Sequence, residues 1–359
     1  MSERLLVATR KGLFDFRCED GQPQLAGRHF LGEPVTASLL DPRDGAIYAA
    51  LDLGHFGAKL HRSDDDGASW TEVGVPTYAG VAGDPPPALS LIWILEAGAP
   101  SAHGGGDLWA GTIPGGLFTS LDRGQSWSLN RPLWDDPLRA DWFGGGFDSP
   151  GLHSISFDTR DPRKVAVGVS CGGAWLSDDG GQSWRVSTTG MWADYLPPSE
   201  RENPATQDPH RIARCAASPD VLWVQHHNGV FRSTDGGETW REIAIEPSSF
   251  GFAVAAHPRD PETAWFAPAV SDQQRYPTDG KFVITRTRNG GTTFERLDQG
   301  LPTAESYDLV YRHGLDVDPT GDRLAVGTTT GNLWLSEDGG DSWSTISSTL
   351  PPIYAVRWV

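Results

Sequence analysis

One pattern governs what this chain can fold into: Ser-x-Asp-x-Gly-x-Ser/Thr-Trp, first met at Ser63-Asp64-Asp65-Asp66-Gly67-Ala68-Ser69-Trp70. It returns at residues 120–127, 177–184, 233–240 and 336–343, and in worn form at 287–294, where Asn289 stands in the Asp place. The closing aromatics are Trp70, Trp127, Trp184, Trp240, Phe294 and Trp343, so the steps are 57, 57, 56, 54 and 49 residues. Units of that length, each holding several short apolar runs broken by turn residues, mark the blades of a propeller. The motif itself reads as a tight hairpin. Gly supplies a positive φ, the Asp and Ser/Thr side chains bond local backbone N–H groups, and the aromatic packs between strands. Nothing in it is shaped for a substrate.

Each unit divides into four strands. The first 30 residues fit the same template but begin at its second strand: Leu5-Leu6-Val7-Ala8, then Leu13-Phe14-Asp15-Phe16, then residues 24–30. The missing first strand lies at the other end, in Ile353-Tyr354-Ala355-Val356-Arg357-Trp358. The expectation is an all-β, seven-bladed β-propeller of four-stranded antiparallel blades, one domain over 1–359. Its closing blade comes from about 1–33 plus 352–359, with six repeat-bearing blades between. Pairing the two ends removes the bare sheet edges that invite aggregation.

The repeated residues are those of the Asp box, or bacterial neuraminidase repeat. The chain resembles the Asp-box propellers: sialidases, sortilin-type receptors, xyloglucanases and photosystem II assembly factors, together with bacterial cytoplasmic glycosyl-hydrolase-like proteins. The resemblance implies the architecture and leaves the activity open. Sialidases are six-bladed and carry an Arg-Ile-Pro segment near the start. Here Arg4, Arg10, Arg17 and Arg28 are not followed by Ile-Pro, which argues against that activity.

Charge narrows the partners. With 29 basic against 47 acidic residues and a formal net charge of −18, the surface repels nucleic acid and anionic lipid. No apolar run approaches the roughly 20 residues of a membrane helix, and the start turns polar by Thr9-Arg10-Lys11, too soon for a secretory segment. Cys18, Cys171 and Cys215 are far apart and odd in number, as expected of a reducing, cytoplasmic setting.

Insertions cluster on the face opposite the repeat hairpins: residues 131–151, 190–210 and 271–281. Long aromatic-bearing loops on a rigid scaffold are where binding groups tend to sit. Blade four also breaks its own repeat. The column closing strand two reads Ala8, Ala50, Gly111, Gly168, Ala267 and Gly327, but Gln225 in blade four, followed by His226, His227 and Asn228. Counting back five residues from Asp41, Asp158, His257 and Asp318 gives Thr36, His153, Phe252 and His313. Two histidines thus share one structural position, in blades three and six, and His210 enters from the same face.

The expected site is a His-rich mouth of the central channel. Its candidate catalytic residues are His153, His210, Gln225, His226, His227, His313 and Asp194. Its candidate binding residues are Trp192, Tyr195, Asn228, Asp272, Arg275, Asp308 and Tyr311. Neutral imidazoles are metal ligands and titrating ones are acid–base groups, so a divalent metal on His153, His210, His226 and His313 is one expectation. Glycoside hydrolysis asks for two carboxylates, and Asp52, Asp141, Asp194, Glu200, Asp208, Asp272 and Asp308 all fall on the right face. Two functions stand open. One is a hydrolase acting on a small molecule or glycan; the other is a non-catalytic propeller serving as an interaction platform for a protein partner.

Overall fold

A computed structural model describes residues 4–19, 22–79, 86–100 and 106–359. Residues 1–3 and 20–21, expected in the closing blade, lie outside the described residues. Seven four-stranded sheets form, each an antiparallel meander with strands in chain order, save the one that mixes both ends. In that closing blade Ile353–Trp358 pairs with Arg4–Thr9, setting Leu5 against Trp358, Val7 against Val356 and Ala8 against Ala355. The blades carrying the hairpins are numbered one to six here, and the closing blade seven. No helix among the described residues is long and apolar enough to cross a membrane.

The hairpins repeat one hydrogen-bond scheme. In the first, the Ser63 hydroxyl accepts from Gly67 N–H at 2.8 Å, while Asp65 accepts from Ser69 N–H at 2.8 Å and from its hydroxyl at 2.6 Å. Gly67 has φ 90°, which a side chain would strain. In the worn copy Asn289 keeps the scheme by reversing one bond: its Oδ1 accepts from Thr293 N–H, and its Nδ2 donates to the Thr293 hydroxyl.

The closing aromatic then fastens one blade to the one before. Trp127 Nε1 donates to Gly74 O, Trp184 Nε1 to Asn130 Oδ1 and Trp240 Nε1 to Ser187 O. Trp240 is 5% exposed and packs with Leu176, Ile212 and Phe231. Trp240→Ala is expected to lower stability by about 3–5 kcal/mol, as for a large aromatic removed from a core. Chemical denaturation checks this, and ligand affinity of the folded variant should be unchanged.

The feature that builds the site is a β-bulge in the innermost strands. Pairing with strand two skips one residue between Val35 and Ala37, Ile92 and Ile94, Leu152 and Ser154, and Pro209 and Arg211. The same slip falls between Gly251 and Val254 in blade five, and at Tyr354 in blade seven. In blade six, Gly327 N–H bonds Gly314 O, which leaves His313 in the equivalent place. A bulge re-aims the side chain it carries. Seven residues are therefore set at one level of the channel: Thr36, Trp93, His153, His210, Phe252, His313 and Tyr354.

Candidate functional site at the channel mouth

The seven-residue level is a waist. His153 is fully buried. Its Nε2 lies 2.7 Å from Pro209 O, and its Nδ1 2.9 Å from the Ser154 hydroxyl. A carbonyl only accepts, so Nε2 carries the hydrogen. His313 reaches from blade six to blade three, where its Nε2 donates to His153 O at 2.8 Å. Burial first, and Arg312 or Arg211 next, hold both imidazoles well below their usual pKa. The Trp93 ring packs edge-on to His153 at 5.4 Å, and His210 stacks on Phe252 at 4.5 Å.

Above the waist, away from the hairpins, opens a cavity of about 770 Å³. Its walls carry Trp93, Phe147, Phe252, Tyr311 and Tyr354, three arginines (Arg10, Arg275 and Arg312), and the carboxylates Glu33 and Asp52. The Arg312 guanidinium lies 4.8 Å from the Trp93 ring and 5.3 Å from that of Phe252, and its Nε has no hydrogen-bond partner among the described residues. Below the waist a smaller cavity of about 370 Å³ is lined by Glu96, Arg211, Asp316 and Arg357.

Beside the upper cavity, at the start of blade four, stands a second constellation. Asp208 is 4% exposed and His210 2%. Oδ1 of Asp208 accepts from the Ser170 hydroxyl and from Cys171 N–H, each at 3.0 Å. Oδ2 faces His210 Nε2 at 3.3 Å and His227 Nδ1 at 3.5 Å. The ligand atoms of these three residues lie within 4.8 Å of one another. Burial works against the Asp208 charge, but His210, His227 and Arg312 outweigh it and hold the carboxyl well below its ordinary range. Burial lowers the His210 pKa against the pull of Asp208.

The other candidates divide between wall and scaffold. His226 holds the site's backbone, since Asp208 N–H donates to its Nε2 at 3.0 Å and Asn228 N–H lies 3.2 Å from its Nδ1. Burial drives its pKa down to about 3. Gln225 is a clasp between blades, its Nε2 donating to Ser249 O of the link to blade five at 2.9 Å and to Gly229 O at 3.2 Å. Asn228 donates to Trp192 O, and Trp192 Nε1 to Glu242, so both tie the 190–210 loop down. Tyr195 covers His227 edge-on at 4.8 Å and donates to Thr206 O. Asp308 is consumed within blade six, accepting from Ser306, Thr328, Thr330 and Asn332. Asp194 is exposed and outside the cluster. Asp272 pairs with Arg275 at 2.5 Å, and Arg275 and Tyr311 line the upper cavity. Of the four histidines expected as metal ligands, only His210 offers a nitrogen to the Asp208 group. His153 commits Nε2 to a carbonyl and Nδ1 to a hydroxyl, and His313 commits Nε2 to a carbonyl.

Sequence reasoning passed over Trp93, Phe147, Tyr354, Arg312, Arg10 and Glu33, and gave Asp208 no more weight than six other carboxylates. The bulge column held the missing signal, hidden in blade four because Cys215 stands five residues after His210 where blades one, three, five and six carry Asp or His.

Fold and repeat together define an Asp-box β-propeller with a waisted channel. The BNR/Asp-box repeat family matches residues 231–242. Among curated proteins, the oligoxyloglucan-reducing end-specific xyloglucanase of Emericella nidulans is 25% identical over 260 residues, covering 68% of this chain and 26% of that one. Xyloglucanase Xgh74A of Acetivibrio thermocellus is 27% identical over 227 residues, covering 57% of this chain and 24% of its own. The chain thus spans about a quarter of the length of these relatives. Among solved structures, an ancestral GH74 enzyme superposes with a TM-score of 0.61 at 17% identity, covering 88% of this chain and 38% of that one. YCF48 from Cyanidioschyzon merolae gives 0.55 at 12%, covering 89% and 87%. At such identities the structural likeness speaks for the fold alone.

Proposed function

We propose that the chain is a glycosidase-like hydrolase that receives a glycan or small polar molecule in the upper cavity. The observation that carries this reading is the wall of that cavity. Six Phe, Tyr and Trp rings, three guanidiniums and two carboxylates enclose about 770 Å³, a volume and mixture typical of ligand sites. Aromatic faces suit the apolar faces of sugar rings, and Arg312 brings an Nε–H donor that has no acceptor among the described residues. Glu33, on the link from blade seven to blade one, and Asp52, the last residue of strand two of blade one, are the carboxylates in reach. We assign them the acid and base roles that glycoside hydrolysis requires. The distant similarity to xyloglucanases supports a glycan over other small molecules.

The test is release of reducing sugar from a panel of oligosaccharides, xyloglucan fragments included. Glu33→Gln and Asp52→Asn should each lower kcat by about 10²–10⁴, the usual share of a general acid or base. Trp93→Ala should raise KM. If wild type turns over nothing on the panel and neither carboxylate variant changes ligand binding, the hydrolase reading falls. The second reading, a protein-binding platform, is favoured by Phe56, which is 78% exposed at the cavity rim. That reading would then lead.

A further inference from the structure

The Asp208, His210 and His227 group is not used by the reading above, and its geometry is not that of a hydrogen-bonded network. His210 Nδ1 lies 2.6 Å from Gly251 O. A carbonyl accepts, so the hydrogen sits on Nδ1 and the neutral ring turns a bare lone pair on Nε2 toward Asp208. Oδ1 of Asp208 is already held by Ser170 and Cys171, which leaves Oδ2 as the free oxygen, and it points at both imidazoles. Lone pairs facing one another in a buried place are costly unless something positive lies between them. Either a proton or a metal ion fits that description.

The spacing separates the two. Charge-assisted N–H···O⁻ bonds run at about 2.7–2.9 Å, whereas the two contacts here measure 3.3 and 3.5 Å. Ligand atoms on a tetrahedral ion with bonds of about 2.0–2.1 Å lie about 3.3–3.4 Å apart. The surroundings also match a metal site. A ligating histidine characteristically donates its other ring N–H to a carbonyl or carboxylate, as His210 does. The backbone is pinned on both sides: Asp208 N–H bonds the His226 ring, and His227 N–H donates to Asp208 O at 3.0 Å.

We propose that Asp208, His210 and His227 form a binding site for a divalent first-row transition ion, with a further coordination position left for water or a ligand. Two imidazoles and one carboxylate suit zinc, iron or nickel, while calcium and magnesium ask for oxygen ligands alone. Histidine 226 acts on this site as a positioning residue, because it holds the Asp208 amide and touches no ion. Phe252, stacked on His210, stands in the wall of the upper cavity, so the site lies directly behind that wall. It stands or falls apart from the hydrolase reading.

The experiment uses the full chain without a histidine tag, stripped with a chelator. It is titrated with Zn²⁺ by calorimetry, and loaded separately with Co²⁺ for its visible absorption. The expected result is one ion per chain and a cobalt spectrum of low coordination number. His227→Ala should weaken Zn²⁺ binding more than about 100-fold and abolish that spectrum. This side chain is partly exposed, so its melting temperature serves as the check on folding. Asp208→Asn should act likewise where it folds. Asp194→Asn, on the same loop but outside the group, should leave affinity unchanged, which guards against diffuse binding by an acidic surface. Wild type that takes up no stoichiometric Zn²⁺ overturns the site and leaves a proton-bridged His–Asp pair. Stoichiometric uptake that survives His227→Ala overturns it too, by locating the ion elsewhere.

Discussion

A chain lacking residues 353–359 is expected to be insoluble, or to melt far below the full chain. The loss is large because one short segment does three jobs. It buries Ile353, Val356 and Trp358 in the seam with Leu5, Val7 and Leu333, each such side chain contributing about 1.5–3 kcal/mol. It covers the inner edge of Arg4–Thr9, which would otherwise offer bare N–H and C=O groups to any passing strand. It also ties the closing blade to others: Arg357 pairs with Glu96 of blade two at 2.5 Å, and Trp358 N–H donates to Asp316 of blade six at 2.8 Å. Size-exclusion chromatography and thermal melting of the truncated chain check this. A monomer that melts like the full protein would show that the ring closes without its last strand.

Between pH 7 and pH 5 the protein is expected to lose stability. His226 has a folded pKa of about 3 against 6.5 for the free side chain. The unfolded chain therefore binds a proton in that interval which the folded chain refuses. Stability then rises with pH: the contribution is complete above 6.5 and fades as pH falls toward 3. For His226 alone the loss at pH 5 is about 2 kcal/mol. His153, His210 and His313 shift in the same direction, chiefly through burial. Asp316 works the other way. Burial raises it to about 6, so acid relieves it, by about 1 kcal/mol at pH 5. One such group does not offset four histidines.

A separate loss should follow below about pH 4. There the unfolded chain takes up protons that Asp65 and Asp179, held at about 2 in the folded chain chiefly by the hydroxyls of Ser69 and Ser183, still refuse. Melting temperature followed from pH 8 to 3 should begin to fall near pH 6.5 and fall more steeply below pH 4, and His226→Asn should lessen the fall between pH 7 and 5. A curve level from pH 7 to 5 would contradict the buried neutral histidines.

The architecture was legible because its signal is local and repeated. Gly67 and its counterparts demand a positive φ, the Asp and Ser/Thr partners sit two and four residues apart, and the pattern recurs at blade length. Even the closure could be read, since a template missing its first strand at one end found it at the other. The site was harder, because it depends on bulges that shift register by one residue and leave no mark on composition. Counting back from Asp41, Asp158, His257 and Asp318 reached four members of the waist. Cys215, Gly98 and Val359 stand at the corresponding positions in blades four, two and seven, so His210, Trp93 and Tyr354 escaped the column. Gln225 was visible as a rule-breaking residue, but the sequence could not say that its amide would turn into the seam between blades. Histidine content alone likewise could not separate rings that bond carbonyls from rings that face a carboxylate.

The waist has a consequence for traffic. With His313 bonded across the channel to blade three and Trp93 and Phe252 filling the level beside it, the upper cavity is a cul-de-sac. A long polymer cannot thread through it and slide; it can offer only a terminus, or a short stretch laid over the opening. On the proposed hydrolase reading, arrival and departure use one door, so each departing molecule must clear the cavity before the next can settle. Whatever leaves therefore competes head-on with whatever is coming in.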